Sequence, residues 1–327
     1  MQRRSFIAAA AVLSSALAAL PAQAQTKWDL PSPYPAFNFH SENIAQFAKD
    51  VESATGGQLR ITPHPGASLF KGPEIKRALQ GGQVQAGEFL LVGHQNEWPL
   101  FGADGLPFLA TSYEQAQQLY QAQKPLLEKK LGEQGMVLLY AVPWPPQGLF
   151  SKKPIESAAE LKGMKMRAYS PATSRIAELV GAQPVTIQEA ELSQALATGA
   201  VETLMTSGST GTDKKLYESM KYYYDVQAWL PKNIVVANAR AFKGLDAAAQ
   251  EAVKKAAAAA EERGWARSKE VTQQSMEKLK QEGMQVLEPS AQLKADLAKV
   301  GETMQAEWLK SAGADGQTLL DAYKKGQ

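Results

Sequence analysis

Short apolar runs alternate along this chain with amphipathic stretches that end in glycine. Ser41 caps a predicted helix whose apolar positions Ile44, Phe47, Ala48 and Val51 follow helical spacing, and Gly56-Gly57 stop it. Leu59 to Thr62 then read as a strand. Pro73 opens a second helix through Leu79, Gly81-Gly82 close it, and Val84 to Val92 form an apolar run of strand length. The same grammar returns later: Met164 to Tyr169 as strand, Ala172 to Val180 as helix, Pro184 to Ile187 as strand, Ala190 to Ala197 as helix and Val201 to Thr206 as strand. One segment echoes the other half directly, since Ala78-Leu79-Gln80-Gly81-Gly82-Gln83-Val84 and Ala195-Leu196-Ala197-Thr198-Gly199-Ala200-Val201 agree at four of seven positions. Alternation of this kind argues for an α/β protein with a largely parallel sheet. A chain of 327 residues exceeds what one hydrophobic core usually holds, so two lobes are expected. Leu245 to Gln281, with Gly264 inside, reads as one long helix or two abutting ones, and Ala291 to Lys310 and Leu319 to Lys325 as further amphipathic helices that brace the lobes.

The first 24 residues carry the marks of a signal peptide. Arg3 and Arg4 precede an apolar run from Phe6 to Leu20, and Ala22-Gln23-Ala24 supplies a small-x-small cleavage site, so the mature chain is expected to begin near Gln25. A membrane anchor is the alternative, but the run is shorter than the ~20 residues a bilayer needs. Arg3-Arg4-Ser5-Phe6-Ile7 is also similar to a twin-arginine signal, which leaves the export route open. Removing Arg3 and Arg4 from 35 basic residues leaves 33 against 33 acidic ones. A neutral mature chain lacks the electrostatic footprint of a nucleic-acid binder. There is no Cys, which excludes disulfides, thiol nucleophiles and a lipoprotein anchor. The expected product is a freely soluble, monomeric periplasmic protein.

Catalytic and cofactor motifs are missing. His40, His64 and His94 are the only histidines, and the i, i+3 pair His94/Glu97 has no further ligands in a recognisable metal spacing. No Gly-x-Ser-x-Gly elbow and no dinucleotide fingerprint occurs, and Gly208-Ser209-Thr210-Gly211-Thr212-Asp213-Lys214-Lys215 lacks the spacing of a phosphate loop and reads as a polar turn. No catalytic residue, metal or cofactor is therefore assigned. In open α/β sheets ligands sit beyond the carboxyl ends of the strands, which directs attention to Glu88-Phe89-Leu90, to Met205-Thr206-Ser207 and to Arg167. Arg167 precedes Ser170-Pro171, the start of a helix whose amino end favours an anion, and a guanidinium offers a carboxylate two parallel donors. On the strand pattern alone, an exposed or salt-bridged Arg remains the alternative.

Leu161-Lys162-Gly163-Met164-Lys165-Met166-Arg167, preceded by Ser151-Lys152-Lys153-Pro154-Ile155 and followed by Ala195 to Glu202 and by Val235 to Phe242, resembles the substrate-binding proteins of TRAP transporters, the DctP-type family. The likeness runs through essentially the whole mature chain. It implies a two-lobe periplasmic-binding-protein fold with mixed sheets and a long helix spanning both lobes: residues 25–146 with about 234–280 in one, 147–233 with about 281–327 in the other. It also implies an organic anion whose carboxylate pairs with Arg167, lobe closure, and membrane subunits as partners. Relatives that bind sialic acid have a second Arg where this chain has Gln147, and an Asn where it has Thr206. The expected ligand is therefore a smaller hydroxy or keto monocarboxylate, aromatic or sugar acids included. Gln147, Thr206, Ser207, Phe89, Leu90, Met205 and Trp144 are expected around it, and Glu189, where relatives often have an aromatic, is expected to accept ligand hydrogen bonds. Trp144 and Trp229 stand open between cleft wall and hinge or core packing. A receptor for an ATP-driven importer, a sensor, or an enzyme on a two-lobe scaffold are the competing functions.

Overall fold

The computed structural model describes residues 25–326, so the predicted signal peptide lies outside the described residues. Strand β1 (Thr26–Pro31) leads to helix α1 (Phe39–Ala54), and β2 (Leu59–His64) pairs with β1 in parallel register from Thr26↔Leu59 to Pro31↔His64. The α1 cap is Asn38, whose side chain accepts from the His40 amide, rather than Ser41. Ser41 is one turn inside, its hydroxyl donating to the Tyr34 carbonyl at 3.0 Å. Helix α2 (Gly72–Gln80) and β3 (Ala86–Leu90) follow as expected. Two 3-10 segments, Leu91–His94 and Pro99–Gly105, then lead to α3 (Tyr113–Glu133) and β4 (Met136–Pro143).

The chain now enters the other lobe through β5 (Gln147–Ser151), β6 (Lys165–Ala168), α4 (Pro171–Leu179), β7 (Gln183–Thr186), α5 (Leu192–Ala197), β8 (Thr203–Ser207), α6 (Gly208–Asp213) and β9 (Tyr222–Tyr224). It returns through β10 (Lys232–Asn238) and α7 (Ala239–Lys243) to α8 (Ala247–Gln281), and ends with β11 (Gln285–Leu287) and α9 (Ala291–Lys325). The stretch from Gly208, expected as a turn, is the short helix α6, because Ser207 accepts the Thr210 amide at 3.1 Å and starts it.

Lobe I holds the pair β1-β2 and the sheet β3-β10-β4; lobe II holds a six-stranded sheet ordered β11-β9-β5-β8-β6-β7. The sheets are mixed rather than largely parallel. Pairs β6/β7, β6/β8 and β9/β11 are parallel, whereas β10 is antiparallel to β3 and β4, and β5 to β8 and β9. The reason is visible in the register. Gln147 at the start of β5 faces Ser207 at the end of β8, and Asn233 near the start of β10 faces Leu90 at the end of β3. A strand that enters its lobe from the junction begins where the local strands end, so it must run against them.

Helix α8 is a single 35-residue element. Val253, Ala256, Ala257 and Ala260 pack with Phe47, Ala48 and Val51 of lobe I, while Leu279 joins Phe150, Leu204 and Tyr223 of lobe II. Gly264 marks its tightest passage: a Cβ there would lie 2.3 Å from Val142 Cγ2 and 2.9 Å from Asn43 Nδ2, so only glycine lets α8 rest on β4 and α1. The two C-terminal helices expected from the sequence abut within α9, where helical geometry breaks at Gly313, whose φ of 57° and ψ of −135° are open to glycine alone at little cost. Leu293, Leu297, Met304 and Trp308 of α9 share a core with Met166 and Ile176 of lobe II and with Leu100 and Leu106 of the passage after β3.

Candidate functional site

The carboxyl ends of β3, β6 and β8 and the starts of β5 and β10 converge on a cleft between the lobes. It encloses a cavity of about 1000 Å³. Phe89, Leu90, Trp144, Gln147, Arg167, Glu189, Thr206 and Ser207 all line it. Met205 and Trp229 do not. Thr206 faces the cavity, so its strand neighbour Met205 points to the opposite side. There it packs with Leu149 and Trp229 in the core that α9 covers.

Arg167 is 2% exposed although it borders a cavity. Its Nε donates to the Ile187 carbonyl at 3.0 Å, and Nη2 reaches Glu189 Oε2 at 3.4 Å. The guanidinium lies 5.2 Å from the Tyr169 ring centroid. Such a grip fixes the plane of the guanidinium and leaves its remaining edge for a ligand. Beside it α4 begins, capped reciprocally by Ser170 and Thr173 with Pro171 in the first turn, and Ser170 and Pro171 are part of the cavity wall. Arg167 and this helix start both favour an anion. The salt-bridged Arg and the cleft Arg of the sequence reading are thus one residue, since the Glu189 partner is itself in the wall.

Glu189 opens a 3-10 turn, Glu189–Glu191, and its second oxygen stands 3.6 Å from Lys214 Nζ. Gln147 has both polar ends engaged: Nε2 donates to the Pro145 carbonyl at 2.8 Å and Oε1 accepts from Tyr169 at 3.0 Å. It holds Tyr169 in the wall. Burial pushes the Tyr169 hydroxyl well above its ordinary range, so it is a neutral donor. The Ser207 hydroxyl is occupied in capping α6, whereas the Thr206 hydroxyl has no protein partner among the described residues.

Lobe I supplies a braced aromatic wall. Trp144 Nε1 and the Tyr34 hydroxyl both donate to Asn233 Oδ1, at 3.0 and 3.1 Å. Asn233 in turn donates to Glu88 Oε1 at 3.1 Å, and Ser32 donates to Glu88 Oε2 at 2.6 Å. Burial raises the Glu88 carboxyl to about 7 against the lowering effect of those two bonds. Trp144 is both wall and core, since it also packs against Tyr34, Phe39 and His40. Tyr34, Tyr169, Asn233 and Lys214 were not singled out from the sequence. Tyr34 sits in a loop between prolines without periodicity, and Lys214 lay in the segment read as a turn.

The sequence matches the family of bacterial extracellular solute-binding proteins, family 7, known as DctP, over residues 35–313. The chain belongs to that family. Among solved structures similar to this DctP-family chain is DctP6, a Bordetella pertussis extracytoplasmic solute receptor binding pyroglutamic acid, 58% identical with a TM-score of 0.91 over 92% of this chain and 100% of that one. A marine metagenome TRAP solute-binding protein specific for pyroglutamate is 47% identical, TM-score 0.91, over 92% and 99%. A curated solute-binding protein of Albidiferax ferrireducens is 30% identical over 188 residues, 56% of this chain and 55% of that protein, so the chain spans little more than half the length of that relative. The DctP-type resemblance and the two-lobe fold with its long helix agree with these findings.

Proposed function

We propose that this protein is the exported periplasmic receptor of a TRAP-type transporter, that it captures pyroglutamate by an Arg167–carboxylate pair, and that its lobes close over the ligand for delivery to membrane subunits. The observation that carries the reading is Arg167 itself: a buried, geometrically fixed guanidinium beside a helix start in a 1000 Å³ cleft. Glu189 engages it through Nη2 alone, at 3.4 Å, so donors of this buried cation remain for a ligand carboxylate. Pyroglutamic acid is the ligand named for the 58% identical Bordetella receptor, and it meets this site's chemistry. Its carboxylate answers Arg167, its ring methylenes suit Trp144, Phe89 and Leu90, and the Thr206 hydroxyl is an open donor within the same wall. The hydroxy or keto acid expected from the sequence becomes a lactam acid, still a small monocarboxylate. Capture and release need no bond chemistry, so the reading is of a receptor and not an enzyme.

Calorimetric titration of the mature protein tests this. Pyroglutamate should bind saturably at one site, and the uncharged pyroglutamamide should bind at least about a hundredfold more weakly, because it brings no carboxylate to the buried guanidinium. Equal affinity for acid and amide would refute the reading.

A further inference from the structure

We infer that Glu189, held by Lys214, is the residue that selects a ring N–H in the ligand. This rests on the pyroglutamate reading and deepens it. In pyroglutamate the lactam nitrogen and the carboxylate are bonded to the same carbon. Whatever accepts the N–H must therefore stand beside the guanidinium that takes the carboxylate. Glu189 Oε2 is 3.4 Å from Arg167 Nη2 and Glu189 lines the cavity, which makes it the carboxylate at that place. An ionised carboxylate accepts and cannot donate, so it reads a donor and rejects an acceptor.

Two further features fit this role. The Arg167–Glu189 contact is long for a charge-assisted bond, and it uses one of the five guanidinium donors while Nε is spent on Ile187, so an incoming carboxylate meets a partner that is loosely held. When the ligand claims Arg167, the other oxygen of Glu189 still faces Lys214 at 3.6 Å, and that pair is sheltered, with side chains 13% and 11% exposed. Glu189 thus keeps a cation beside one oxygen and turns the other to the ligand. Lys214 is a positioning residue, reaching the ligand only through Glu189. It stands at the foot of α6, which begins at Ser207 in the cavity wall, so the same short helix serves both ends of the site.

The test compares pyroglutamate with 5-oxotetrahydrofuran-2-carboxylate, the same ring with oxygen in place of N–H, by calorimetry on the mature wild-type protein, Glu189→Gln and Glu189→Ala, each checked for an unchanged melting profile. The wild type should prefer the lactam by on the order of 10- to 100-fold, because the lactone sets a ring oxygen against an acceptor. In Glu189→Gln the ratio should fall to a few-fold, since an amide can donate to the ring oxygen, and in Glu189→Ala it should also collapse. A preference unchanged in both variants, or an equal loss of both acids with the ratio retained, overturns the assignment while leaving the pyroglutamate reading intact. Failure of the wild type to bind either acid overturns that reading, and this one with it.

Discussion

Arg167→Ala is expected to weaken pyroglutamate binding by about 30- to 3000-fold, the range that follows from losing one partner of a buried, hydrogen-bonded charge pair. The loss should be the same for every carboxylate the protein accepts, since Arg167 addresses the group they share. Arg167→Lys should not rescue it. A lysine ammonium would have to replace both the Nε bond to the Ile187 carbonyl and the bidentate edge turned to the cavity, and it has neither the plane nor the reach. The folded state should tolerate the alanine, because Glu189 retains Lys214 as counter-charge. Calorimetry together with a melting curve of the unliganded variant separates these effects: large loss of affinity, small change in stability.

The second large effect concerns stability. Asp104→Ala is expected to destabilise the protein by about 3–5 kcal/mol, measured by urea unfolding. Asp104, in the 3-10 segment Pro99–Gly105, and Lys232, the first residue of β10, face each other at 3.3 Å with side chains 1% and 0% exposed. Asp104 also accepts the Lys232 amide at 2.8 Å. Burial raises the Asp104 carboxyl despite the opposing pull of Lys232, which says that desolvation outweighs attraction here. A buried ion pair of this kind adds little net stability as a rule. Its truncation is costly because Lys232 would be left as a buried charge with no counter-charge. The same logic predicts that the double variant Asp104→Leu with Lys232→Met recovers most of the loss. A single variant costing less than about 1 kcal/mol would contradict this, as would a double variant no better than the single.

Much of the architecture could be read from the sequence because the amphipathic periods are strong. Helix α1, β2, α2, β6, α4, β7, β8 and α8 fall within a few residues of their expected limits. What the pattern could not supply was strand direction. Nothing local in Gln147–Ser151 or Lys232–Asn238 announces that these strands enter their lobes from the junction, and that entry alone makes them antiparallel. The α1 cap is Asn38 and not the expected Ser41, since only tertiary structure shows that the Tyr34 carbonyl takes the Ser41 hydroxyl.

In the site, strand ends located Arg167, Phe89, Leu90 and Thr206, and alternation along β8 should have excluded Met205 from the same face as Thr206. Trp229 and Trp144 could not be told apart, because both are buried aromatics near the junction and only their surroundings differ: Trp229 lies in the core under α9, Trp144 at the cavity. The polar bracing was invisible. Asn233 lies 89 residues from Trp144 and 145 from Glu88, and no spacing rule links positions so far apart.

A crystal structure of the mature protein grown with pyroglutamate tests the Arg167–carboxylate pair directly. One ligand is expected in the cleft between Trp144 and Tyr169, its carboxylate oxygens within hydrogen-bonding distance of the Arg167 guanidinium. A ligand bound with its carboxylate turned away from Arg167, or held outside the cleft, would contradict it.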